Sequence, residues 1–204
     1  MKYSVSSYSF SQLISVGVKT EAELIPLAKE MGFDGIEFAE IHTPEWLSKA
    51  EYAAFLKSEA EKHDIAIVAY CIGSDLLKGE SEIERLKGEV DICEALGSPL
   101  MRHDASWGYE KETRSNRGFN NALPVIADAY RKVTEYAKTK GIRTAIENHG
   151  FFCQDSDRVE AIINSVHDDN FGALLDIGNF MCADEDPVKA VGNIAPYAFH
   201  VHAK

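Results

Sequence analysis

The chain alternates short apolar runs with longer stretches in which apolar residues return every three or four positions. The runs Gly35–Phe38, Ile65–Cys71, Pro99–His103, Ile142–Glu147, Phe171–Asp176 and Tyr197–Lys204 predict strands. Ile65–Cys71 shows no alternation, as expected where both faces of a strand are buried. Helices are predicted between these runs. Thr20-Glu21-Ala22-Glu23 reads as a capping box before Leu24, Leu27, Ala28 and Met31, with Gly32 as the stop. Thr43-Pro44 supplies an N-cap residue and a proline at the first helical position, so the next helix is expected to start there. A helix over roughly Glu80 to Leu96 ends at Gly97, and Leu123, Ile126, Tyr130, Val133 and Ala137 form the stripe of a long helix closed by Gly141. Val159, Ile162, Ile163 and Val166 mark another, and Asp186-Pro187 caps a short last one.

This strand and helix rhythm is that of an α/β fold, with about seven strands in all. No GxGxxG or GxxxxGK[ST] follows a strand, so the usual nucleotide cradles are absent. A (β/α)₈ TIM barrel lacking its last βα unit fits better than a doubly wound sheet. Such barrels take about 250 residues. The 204 residues are therefore expected to form a single TIM-barrel domain over 1–204, C-terminally incomplete, whose open seam another copy could close in a homo-oligomer.

Composition narrows the partners. Twenty-one basic against 33 acidic residues give a net charge of -12, a field that repels a phosphate backbone, so no nucleic acid is expected. Cys71, Cys93, Cys153 and Cys182 form no CxxC pair and read as reduced thiols of a cytoplasmic protein. No apolar run reaches membrane-spanning length, so no membrane contact is expected either.

The candidate chemistry sits at strand ends. Glu147, Asp176 and His202 each close an apolar run, and they are separated by 29 and 26 residues, about one βα unit each. In a parallel array that spacing brings them together at the carboxyl ends of adjacent strands, where barrel enzymes build their sites. Each alone has an ordinary reading: a strand-end ion pair for Glu147, an Asx turn for Asp176, a hydrogen-bonded core residue for His202. Together they offer hard oxygens and one imidazole, a set that suits Mn²⁺, Mg²⁺, Co²⁺ or Zn²⁺ without ranking them. Glu37 is a candidate for orienting substrate. Arg102 and His103 end the fourth strand and could hold an anion, but neighbouring strand residues point opposite ways, so only one of them should face the site. His149 is a candidate substrate donor, and Trp107 and Phe151 could form an apolar wall.

Gly32-Phe33-Asp34-Gly35-Ile36-Glu37, Ala145-Ile146-Glu147-Asn148-His149, Leu175-Asp176-Ile177-Gly178-Asn179 and His200-Val201-His202-Ala203-Lys204 together resemble the xylose isomerase-like TIM barrel superfamily, in particular its sugar phosphate isomerase/epimerase members. The resemblance implies one divalent metal ion held by Glu147, Asp176 and His202, with a second glutamate from the last strand that has no counterpart here. It implies a metal-dependent isomerase or epimerase that transfers a proton next to the carbonyl of a small sugar, sugar phosphate or polyol derivative. Glu147 would be both a ligand and the catalytic acid/base, with Glu37, His103 and His149 binding substrate. Isomerase, epimerase and dehydratase chemistry all remain open. Two alternatives of other classes stand beside this reading: an endonuclease IV-like DNA-repair metalloenzyme, disfavoured by the acidic charge, and a noncatalytic barrel that binds a metabolite.

Overall fold

The structure is a computed structural model that describes residues 2–110 and 118–203. The chain divides into two compact units, one of Met1–Ile72 with Gly88–Met101, the other of Gly73–Lys87 with Arg102–Lys204. In the first unit the elements are β1 (Ser4–Ser6), α1 (Ser11–Ser15), α2 (Glu21–Glu30), β2 (Gly35–Ala39), α3 (Lys49–Lys62) and β3 (Ala66–Ile72). The strands pair in parallel, β1 with β2 and β2 with β3. α4 (Glu80–Leu96) and β4 (Leu100–His103) have residues in both units.

Local sequence accounts for most of these boundaries. Thr20 and Glu23 close the expected capping box on α2. Leu24, Ile25 and Ala28 are buried, whereas Met31 stands at the C-cap and is exposed, so the apolar face stops short of it. The helix expected to begin at Thr43-Pro44 begins instead at Lys49. Ser48 and Glu51 form a reciprocal capping box there, which satisfies two N-terminal donors at once, while Pro44 only accepts a turn hydrogen bond from Leu47. β1 has no apolar run to announce it, because its three residues are Ser4, Val5 and Ser6.

The second unit carries α5 (Phe119–Thr139), β5 (Arg143–Glu147), α6 (Ser156–Val166), β6 (Phe171–Asp176), α7 (Pro187–Ile194) and β7 (Ala198–His202). β5 pairs with β6 and β6 with β7, both in parallel. Seven strands are thus present among the described residues, as expected. Every residue of β6 is buried. Tyr130 of α5 is enclosed between the rings of His103 and Phe171, each with its centroid 4.5 Å away. Gly172 is required by close approach, since a Cβ there would lie 2.6 Å from the Tyr197 carbonyl oxygen and 2.7 Å from the Phe199 ring. The last predicted strand is shorter than expected because Tyr197 ends a 3₁₀ turn around Pro196. All four cysteines are free thiols, and among the described residues no helix is long and apolar enough to cross a membrane.

Candidate metal centre

In parallel strands the carboxyl ends lie on one side, and β5, β6 and β7 end on Glu147, Asp176 and His202. Asp176 and His202 are direct register partners, while Glu147 pairs one turn of the pleat earlier, with Leu174. His202 Nδ1 lies 3.7 Å from Glu147 Oε1 and 3.9 Å from Asp176 Oδ2. One ligand atom from each of the three falls within 4.8 Å of the others.

The surrounding hydrogen bonds fix which oxygens face that point. Asp176 Oδ1 accepts from the backbone N–H groups of Gly178 and Asn179, both at 2.8 Å, so the Asx-turn reading holds for one oxygen while Oδ2 is directed to His202. Asn148 clasps the Asp176 backbone, accepting its N–H at 2.9 Å and donating to its carbonyl at 2.8 Å. Asn179 Nδ2 donates to Glu147 Oε1 at 3.2 Å, and Gln154 holds Asn179 through its carbonyl. Glu147 Oε2 pairs with the Arg102 guanidinium.

Arg102 also reaches Asp104 Oδ1 at 2.9 Å, and the same oxygen lies 3.0 Å from His149 Nδ1. Of the two adjacent strand-end residues, Arg102 therefore faces Glu147. His103 is wholly inaccessible, stacked on Tyr130, with Nδ1 at 3.1 Å from both Ser74 Oγ and the Asp104 carbonyl. It supports the site from within the core, and burial pushes its pKa down to about 4, leaving the ring neutral. His149 is 39% exposed, and its ring meets Trp107 edge-on at 5.5 Å. Trp107 and Phe151 are both largely exposed. Glu37 is buried on β2 in the first unit, and Lys204 lies outside the described residues.

Burial alone would raise the pKa of Glu147. The nearby His202 imidazole, the Arg102 guanidinium and His149 outweigh it and hold the carboxyl below its ordinary range. The trio also fits a metal sterically. Two ligands at about 2.0 to 2.2 Å from one ion can stand no more than about 4.4 Å apart; the two separations from His202, 3.7 and 3.9 Å, respect that limit, and ligand atoms of Glu147 and Asp176 lie within 4.8 Å of each other. Two carboxylate oxygens and an imidazole form a donor set for a divalent first-row ion or Mg²⁺.

Asp104 belongs to this site although no motif drew attention to it, and Asn148 and Asn179 join it from the motifs around Glu147 and Asp176, where no role had been assigned to them. Asp104 stands just past the carboxyl end of β4, so the strand-end logic that found Glu147 could also have found it. Asn148 uses its side-chain amide on the Asp176 backbone, and Asn179 uses its side-chain amide on the Glu147 carboxylate.

No curated protein sequence matches the chain. Among solved structures of similar fold is a probable 3-DHS dehydratase from Bacillus anthracis involved in petrobactin synthesis, with a TM-score of 0.76 and 18% identity over 99% of this chain and 72% of that one. A D-psicose 3-epimerase determined in the presence of D-fructose gives 0.77 and 18% over 99% and 72%. An AP endonuclease of family 2 from Brucella melitensis gives 0.75 and 18% over 98% and 78%. At such identities the likeness is one of fold, and it bears out the TIM-barrel expectation. The model of one family matches residues 25–204, and on that match the chain belongs to the xylose isomerase-like TIM barrel family.

Proposed function

We propose that this chain is a divalent-metal-dependent isomerase or epimerase that moves a proton next to the carbonyl of a small sugar, sugar phosphate or polyol derivative. The observation that carries the reading is the convergence of Glu147, Asp176 and His202 at three neighbouring strand ends. These three would hold one ion, which when bound polarises the substrate carbonyl and makes the adjacent C–H more acidic. The protein's own groups do the rest. Arg102 and Asn179 engage opposite oxygens of Glu147, and His202, Arg102 and His149 hold its carboxyl below the ordinary range, which suits it to ligation better than to accepting a proton. The exposed faces of Trp107 and Phe151 offer apolar surface to the C–H side of a sugar. Similar folds described as a D-psicose 3-epimerase and an L-ribulose 3-epimerase support this substrate class. The net charge of -12 weighs against a DNA substrate, although one similar structure is described as an AP endonuclease.

The test is solvent deuterium incorporation with a panel of ketoses, aldoses, inososes and hydroxypyruvate, using protein loaded with Mn²⁺, Mg²⁺, Co²⁺ or Zn²⁺. Deuterium should enter at the carbon beside the carbonyl of at least one substrate and stop on chelation. Glu147→Gln should lower the rate by about 10²-fold or more while the fold is kept. Exchange that continues unchanged without metal, or no exchange with any of the panel, would overturn the reading.

A further inference from the structure

Asp104 is a buried acidic group beside the three proposed ligands. A single oxygen, Oδ1, lies 2.9 Å from the Arg102 guanidinium and 3.0 Å from His149 Nδ1, and the residue is almost fully buried. Its main chain is held too, because Ser74 Oγ and His103 Nδ1 both contact its carbonyl oxygen. The carboxylate is therefore fixed at both ends while the imidazole it touches is partly open to solvent.

A carboxylate paired with a guanidinium presents only lone pairs, so the histidine nitrogen facing it must carry the hydrogen. In a neutral imidazole that leaves Nε2 bare, as an acceptor. His149 is further held by its backbone N–H, which donates to the Glu147 carbonyl at 2.8 Å, and by the edge contact with Trp107. Its ring thus has a defined plane and tautomer within two residues of the proposed ligand Glu147.

We propose that Asp104 is the positioning residue of the site: it locks His149 in the tautomer with hydrogen on Nδ1, so that the bare Nε2 is the atom that receives the substrate proton. This rests on the proton-transfer reading above and deepens it by naming the acceptor. In the step, the C–H bond beside the carbonyl breaks, its electron pair stays on the substrate as an enolate, and the proton forms a new N–H bond at Nε2. Asp104 stabilises the imidazolium that results, the hydrogen on Nε2 exchanges with solvent, and Nε2 then gives a proton back to the substrate when the new isomer forms. Asp104 touches no substrate atom in this scheme.

Nitrogen-15 NMR of histidine-labelled full-length chain reads the tautomer without any substrate. Spectra would be taken metal-free and with Mg²⁺ at about pH 8.5, roughly two units above the ordinary histidine value, and the His149 signals assigned by their loss in His149→Gln. The expected wild-type spectrum has Nδ1 protonated and Nε2 bare. Asp104→Asn, whose amide can donate to the ring, should shift the population toward hydrogen on Nε2. With a substrate accepted in the deuterium screen, that variant should lose about 10²- to 10⁴-fold in kcat with KM little changed.

Wild-type protein with hydrogen on Nε2, or with the two tautomers freely mixed, would overturn the proposal even if Asp104→Asn failed to fold. An unchanged tautomer in folded Asp104→Asn would overturn it as well. The expected tautomers in both proteins without turnover on any substrate would uphold the positioning of His149 and sink the proton-transfer reading instead.

Discussion

Asn148 and Asp176 exchange two hydrogen bonds, the amide of one accepting from the backbone N–H and donating to the backbone carbonyl of the other, at 2.9 and 2.8 Å. The pair ties the end of β5 to the end of β6 and holds the Asp176 backbone where its carboxylate can split its oxygens between the Asx turn and His202. Asn148→Ala leaves both backbone groups buried without these partners, which should cost about 2 to 4 kcal/mol in urea unfolding. Affinity for Co²⁺, followed by titration calorimetry, should fall about 10- to 100-fold, the range seen when groups behind a metal ligand are removed. Wild-type values for both quantities would show that the clasp does not organise the site.

Arg102 is the counter-charge of two buried carboxylates, Asp104 and Glu147. Arg102→Met should destabilise the protein by about 3 to 5 kcal/mol, because it strips one partner from a buried network. Arg102→Lys should recover only part of this, since an ammonium lacks the planar fork that serves both acceptors. The Glu147 carboxyl is held low in the native protein, in part by Arg102. Without Arg102 its pKa rises, and the midpoint at which Co²⁺ is released on acidification should move to higher pH. An unmoved midpoint would mean that Arg102 does not set the charge of Glu147.

Stability below neutral pH should report His103. Its folded pKa, about 4, lies below the ordinary histidine value of about 6.5, so in that window the unfolded chain binds a proton that the folded chain refuses. The contribution of the neutral ring is complete above about pH 6.5 and shrinks as pH falls toward 4, for a total of about 3 kcal/mol. His103→Gln should be less stable at pH 7 but should lose less on acidification from pH 7 to 4.5, as measured by urea unfolding. Parallel pH profiles for the two proteins would contradict the burial of an uncharged histidine.

Gly172→Ala should cost about 1 to 3 kcal/mol, the usual penalty for overpacking. The added Cβ would meet the Tyr197 carbonyl and the Phe199 ring, and backbone cannot move aside as a flexible side-chain tip can. Thermal melts of the variant would check this, and an unchanged midpoint would show that β7 can yield.

The convergence of the three proposed ligands was legible because each residue closes an apolar run, and in a parallel array the end of a run fixes a position in space. Glu147, Asp176 and His202 needed no knowledge of side-chain direction beyond that. Arg102 and His103 could not be separated in the same way. Adjacent residues at a strand end face opposite sides, and only the packing of His103 against Tyr130 shows which one turned inward. Asn148 and Asn179 lie within the motifs around Glu147 and Asp176, but their roles depend on what register brings opposite them, the Asp176 backbone for Asn148 and the Glu147 carboxylate for Asn179. The false helix start at Thr43-Pro44 was a competition between two valid caps, decided by the glutamate that follows Ser48 at the third position and not Thr43.

The central claim, that Glu147, Asp176 and His202 share one divalent ion, is tested most directly by crystals of the full chain grown with Co²⁺ and measured at the cobalt edge. One anomalous peak should lie among Glu147 Oε1, Asp176 Oδ2 and the His202 imidazole, with bonds of about 2.0 to 2.2 Å, and should vanish in Asp176→Ala. An ion bound elsewhere in the chain, or three side chains that stay at their present separations with no peak between them at millimolar cobalt, would contradict the account.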